Sequence, residues 1–126
     1  MNVAELEDRL HILVLGEVIT KEACHITLAA FQELVNELEL EEVDQAEMLF
    51  THLPSALTRI ERGEALEAPS PAIMEEVKQS AYYLDAERHV NKVQQSWEKE
   101  LPQEEKEFLY MHYTNVLAMN KGGNKK

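Results

Sequence analysis

The stretch Ala46-Glu47-Met48-Leu49-Phe50-Thr51-His52-Leu53-Pro54-Ser55-Ala56-Leu57-Thr58-Arg59-Ile60-Glu61-Arg62-Gly63 decides the fold. Ala46, Leu49, Phe50, Leu53, Leu57 and Ile60 recur at spacings of three and four, the period of an α-helix with one apolar face. The spacing predicts a long helix over residues 43–62, ended by Gly63. Pro54 disturbs it by removing a hydrogen bond to the carbonyl of residue 50 and disfavouring helical geometry at Leu53, so a bend is expected where His52 sits. Such a bend either tilts the imidazole toward a cleft or curves the helix around a core, and the local residues do not separate the two.

A second histidine has a similar setting near the other end of the chain. Leu101-Pro102 opens a helix with proline at its first position, and Glu104, Glu105 and Glu107 favour its positive end. Phe108, Leu109, His112, Val116 and Met119 then trace one face, with His112 at its centre.

Between and before these runs the pattern stays helical. Asn2 caps a helix over residues 3–15 with Leu6, Leu10 and Leu13 on one side and Gly16 as terminator. Thr20 caps another over residues 21–40, whose face runs through Cys24, Leu28, Phe31, Leu34 and Leu38, so Cys24 is expected to be a buried thiol. Gly63 to Pro69 reads as a loop, and Ser70-Pro71 as a strong helix start. Ile73, Val77, Ala81 and Leu84 share a face, and Val90, Val93 and Trp97 share another. The phase drifts between them, so a break is expected between Ser80 and Glu87. His11 lies near an apolar stripe and reads as structural or solvated, His25 beside Cys24 has no further thiol or histidine at close spacing and reads as packing, and His89, among Glu87, Arg88 and Asn91, reads as solvated. Residues 120–126 read as a mobile tail. No segment alternates as a strand does. The expected fold is all-α, a single bundle of five to six mostly antiparallel helices, with residues 1–19 packed on a domain spanning 20–119.

Composition narrows the function classes. The 126 residues suit one compact domain, and 44% apolar with 29% charged residues is ordinary for a globular protein. With 24 acidic against 12 basic residues the net charge is −12, which disfavours nucleic acid and anionic membranes and suits a protein partner with a basic face. One cysteine rules out an internal disulfide framework and fits a reducing cytoplasm. The N-terminus lacks the layout of a signal peptide, and no apolar run approaches the roughly 20 residues of a membrane span.

The catalytic classes find little support. No serine sits in a glycine-flanked elbow, and Cys24 lies in the middle of a helix. A metal site on His52, His112 and a carboxylate would lack the usual His-x-x-x-His or Glu-x-x-His spacing, so neither metal nor cofactor is expected. A histidine that accepts a phosphoryl group asks for less: an oriented ring and an accessible nitrogen, the donor protein supplying much of the site.

Here the residues resemble a known family, the PTS regulation domain of bacterial phosphotransferase-controlled antiterminators and activators. One signature reads His52, Leu53, Ala56, Leu57, Arg59, Ile60, Gly63; the other reads Glu105, Phe108, Leu109, Met111, His112; the histidines stand 60 positions apart. The resemblance covers about residues 20–119, with Ser70-Pro71 where family members commonly carry Asn-Pro. Pro54 comes one position early, Thr51 stands where some members have aspartate, and the usual Tyr-Pro between the middle helices is missing.

The resemblance implies His52 and His112 as phosphoacceptors facing each other across a groove, with Arg59 neutralising phosphate or orienting Glu105. It implies a phosphoryl donor, either the histidine phosphocarrier protein or a sugar-specific transporter component. It further implies a homodimer acting on a separate regulatory effector in control of carbohydrate-related transcription. No RNA-binding module, helix-turn-helix or transporter-like domain accompanies these motifs, so a stand-alone domain is expected. The alternative is a non-phosphorylated dimerisation or scaffold module of the same fold.

Overall fold

A computed structural model describes residues 1–64 and 67–121. They form six helices and no strand: α1 (Val3–Leu15), α2 (Lys21–Leu38), α3 (Glu47–Glu61), α4 (Pro71–Gln79), α5 (Tyr83–Ser96) and α6 (Gln103–Lys121). The protein is an all-α helical bundle, and it separates into two compact units, Met1–Ala65 and Leu66–Lys126. Leu66 of the expected loop and residues 122–126 of the expected tail lie outside the described residues.

In the first unit α1 and α3 both pack on α2. Leu6 and Leu10 of α1 and Ala23, Ile26, Ala30, Phe31 and Leu34 of α2 are buried together with Leu49, Phe50, Leu53 and Leu57 of α3. The rings of Phe31 and Phe50 meet edge to face, 4.8 Å apart at 81°, and so join α2 to α3. The Asn2 side chain accepts from the Glu5 amide while the Glu5 carboxylate accepts from the Asn2 amide, a reciprocal cap that fixes the start of α1. Thr20 caps α2 by accepting from the Ala23 amide.

Several boundaries differ from the expectations. The helix expected from residue 43 begins only at Glu47, because both backbone groups of Val43 are engaged elsewhere. Its N–H donates to the Met1 carbonyl at 2.8 Å, and its carbonyl accepts from the Met1 ammonium at 2.9 Å. Gln45 is left-handed, at φ 59°, so helical geometry cannot run through it. Helix α2 ends at Leu38 rather than 40 for the same kind of reason, Glu39 standing at φ 55°. Its buried face is turned about one residue from the expected one, which leaves Cys24 half-buried rather than enclosed. Gly63, at φ 75°, follows α3 in the left-handed conformation that favours glycine.

In the second unit α4, α5 and α6 all touch one another. Ser70 caps α4 through the Ile73 amide, and Pro71 opens the helix as the sequence suggests. The expected break falls at Ser80–Tyr82. Leu84 and Ile73, read as core, are exposed; Val77 is buried as expected, and Met74 is buried as well. Pro102 is not the first helical residue but the one before it, its carbonyl accepting from the amides of Glu105 and Lys106.

Helix α6 is also rotated from the expected face. Its buried side is centred on Leu109, Tyr113, Val116 and Leu117, while Met119 is half exposed and His112 stands at the edge. The largest departure is His89. Only 3% exposed, it stacks on Tyr113 with ring centroids 5.1 Å apart and planes within 10°.

Candidate functional site

Helix α3 presents His52 half-buried, two residues after Phe50, whose contact with Phe31 holds the helix in the core. The helix runs on through Pro54, whose ring nitrogen carries no hydrogen, so the carbonyl of Phe50 has no donor four residues on. Arg59 follows His52 by seven residues, two turns along the same face. Its side chain is half exposed and pairs with Glu64 at 3.6 Å. Between them Thr58 is buried, and its hydroxyl accepts from the Thr20 amide at 3.1 Å, which ties this part of α3 to the start of α2.

The charge around His52 is one-sided. No lysine or arginine occurs between Lys21 and Arg59, while Glu33, Glu37, Glu39, Glu41, Glu42, Asp44 and Glu47 all fall in that interval. Arg59 is therefore the cation that the helix itself offers to an anion near His52.

Helix α6 repeats the arrangement in reverse order. Glu105 is fully buried, a carboxylate inside the unit, and His112 follows it two turns later on the same face. The His112 ring is half-buried and lies against Phe108, with centroids 6.4 Å apart and planes at 21°. Leu109 and Tyr113, both fully buried, hold that turn of the helix in place.

The four residues singled out from the sequence thus fall as two pairs. His52 and Arg59 share a face of α3 in the first unit; Glu105 and His112 share a face of α6 in the second.

The five histidines sort by exposure. His11 and His25 are exposed and His89 is buried, whereas His52 and His112 are half-buried. Only these two are neither enclosed nor fully exposed.

His89 and its stacking partner Tyr113 were missed in the sequence. The available signal was helical spacing: Ala86, His89, Val90 and Val93 form one face, although the neighbours of His89 in the chain are charged. Burial pushes the Tyr113 phenol far above its ordinary range, and its hydroxyl finds no hydrogen-bond partner among the described residues.

A small pocket in the first unit, about 210 Å³, is lined by His11, Val14, Lys21, Cys24 and His25. Burial, and then the field of Glu7, pushes the Cys24 thiol upward, so the thiol form is favoured and a nucleophilic role is not. No cluster of three or more potential ligands suited to a metal ion occurs among the described residues, and no helix there is long and apolar enough to cross a membrane.

The model for the PRD domain family matches residues 24–116, a span that holds both histidines together with Arg59 and Glu105. The chain is also similar to the uncharacterized protein YhfY of Escherichia coli (strain K12), 34% identical over 83 residues. That alignment covers 62% of this chain and 66% of the relative, slightly under two thirds of its length. No solved structure matches the chain. A match that covers most of the sequence, on an all-α chain, leads to one conclusion: the chain belongs to the PRD domain family.

Proposed function

We propose that this PRD domain, of the regulatory type found in the phosphotransferase system, is controlled by phosphorylation of His52 and His112 and acts on a protein partner. PRD domains are regulatory rather than catalytic. The observation that carries the reading is the exposure of the five histidines, since the two motif histidines alone are half-buried, neither enclosed nor fully exposed. A phosphoryl donor, the histidine phosphocarrier protein or a sugar-specific transporter component, approaches each ring from solvent. The donor's P–N bond breaks as a new P–N bond forms to the accepting imidazole nitrogen, and the proton that the accepting ring loses passes to the donor's released imidazole.

The added charge of about −1.5 to −2 is then placed on a helix face. At His52 that face lies in a stretch poor in cations, so the phosphate draws Arg59 away from Glu64. At His112 it stands two turns from the buried Glu105 carboxylate. Either event puts new charge beside a packed helix face and favours repacking of the helix that carries it. The domain works as a homodimer whose exposed faces engage a separate effector that controls carbohydrate-related transcription.

Incubation with phosphoenolpyruvate and the purified phosphorelay proteins tests the proposal. Acid-labile, base-stable phosphate is expected on the intact chain, reduced by His52→Ala or His112→Ala and abolished in the double variant. Phosphate absent from both histidines under conditions that phosphorylate the relay itself would leave a scaffold module as the better reading. Arg59→Ala is expected to lower phosphate retention on His52 while leaving His112 unaffected.

A further inference from the structure

Helix α6 has a second edge. At about 100° per residue, Tyr110 stands about 200° from His112, so the two flank the buried face on opposite sides. Beside Tyr110 on α6 is Glu107; across from them on α5 are Tyr83 and Glu87, one turn apart. All four are half-buried. The two tyrosine rings meet edge to face, with centroids 5.5 Å apart and planes at 72°.

Two rings at a steep angle, with two carboxylates beside them, make a receptor for a cation. The negative faces of the rings attract positive charge, and the carboxylates supply counter-charge and acceptor oxygens. Both phenols feel the field of both carboxylates. Burial, then Glu87 and Glu107, pushes the Tyr83 hydroxyl up to about 12, and the same influences move Tyr110 upward.

Arg88 and Lys121 each pair with Asp85, at 3.2 and 3.4 Å, Glu107 accepts from the Gln103 amide at 3.4 Å, and Glu87 shares a side-chain hydrogen bond with Tyr83. Neither Glu87 nor Glu107 forms an ion pair among the described residues. Leu84, 76% exposed, stands next to Tyr83 and gives the notch an apolar shoulder.

We propose that Tyr83, Glu87, Glu107 and Tyr110 form a docking notch for an arginine or lysine side chain presented by a protein partner. The apolar shoulder favours a peptide segment over a free small cation, because neighbouring side chains of the segment then cover Leu84. The net charge of −12 draws basic partners toward the whole molecule, and the notch fixes where one of them docks. The inference is independent of histidine phosphorylation and is tested on the unphosphorylated chain.

Two-dimensional amide NMR of the full chain, at physiological salt, is the experiment. The probe is acetyl-Leu-Arg-Leu-amide, whose leucines can cover Leu84, with its citrulline counterpart as a neutral control of the same shape. Saturable shifts are expected around residues 83–87 and 107–110 with the arginine peptide and none with the citrulline peptide. The Glu87→Gln/Glu107→Gln double variant, altered only at half-exposed side chains, is expected to weaken binding about tenfold. Tyr110→Leu is expected to weaken it about threefold or more, on a fold verified by circular dichroism. Glu41→Gln/Asp44→Asn, in the acidic connection between α2 and α3, should leave the affinity unchanged. Shifts spread over all the acidic surfaces, or an affinity unaltered in the Glu87/Glu107 variant, would overturn the proposal.

Discussion

Tyr113 shows how a residue can be central to packing and silent in the sequence. It is fully buried, stacks on His89 and carries a hydroxyl with no hydrogen-bond partner among the described residues. A buried polar group left unsatisfied costs stability, so Tyr113→Phe is expected to be neutral or to gain up to about 1 kcal/mol. Tyr113→Ala, which also removes the ring, is expected to lose about 3 to 5 kcal/mol. Urea denaturation of both variants checks the contrast; a clear loss in Tyr113→Phe would point to a bond through the hydroxyl.

At this scale the motif residues were legible because their spacing is fixed: His52 to Arg59 and Glu105 to His112 are each two helical turns. The side of the helix was not always legible. His112 was expected at the centre of the α6 face and stands at its edge, because Tyr113, with its polar tip, was not counted among the apolar residues that fill the core. His89 was misread for the complementary reason, its charged neighbours in the chain pointing away from the face it shares with Val90 and Val93.

Helices were readable where a side chain marks the start, and less so where the backbone does. Asn2, Thr20 and Ser70 cap α1, α2 and α4 as their types suggest. Ser70→Ala is expected to cost about 1 kcal/mol in a denaturant titration.

The acidic connection between α2 and α3 hid its geometry, since nothing in Glu39 or Gln45 announces a left-handed conformation. Glu39 carries a strained φ of 55° and a negative charge at the negative end of α2. Glu39→Gly relieves both and is expected to stabilise the chain by about 1 kcal/mol, read as a higher urea midpoint. The late start of α3 belongs with these, because it depends on a backbone pairing between Met1 and Val43 that no local pattern encodes.

For the molecule as a whole, pH dependence follows from the pairing of the Met1 ammonium with Glu42, 2.7 Å apart. Burial works against the charge on Met1, but the hydrogen bond and field of Glu42 outweigh it and raise the amine above 8.0. The bond from that ammonium, then one from Asn2, holds the Glu42 carboxyl below the usual carboxylate range. The Glu42 contribution is present above its ordinary pKa and disappears as pH falls through the lowered value. The Met1 contribution is present below 8.0 and disappears as pH rises through the raised value. Thermal melts across pH should show a plateau between the two, falling on both sides, and Glu42→Gln should flatten both slopes.

The residues before the family match are clasped at both ends. At one end the Met1 backbone pairs with Val43. At the other, Arg62 donates to the Glu17 carbonyl at 2.9 Å and Thr20 bonds Thr58 and Glu61. For anyone trimming the protein to its recognisable homology, the border of likeness is therefore not a border of foldedness. A version started at residue 24 would remove the helix that packs on α2 and leave Val43 and Thr58 reaching for lost neighbours, and it should come out of a refolding trial aggregated or dye-binding rather than as a smaller copy of the same module.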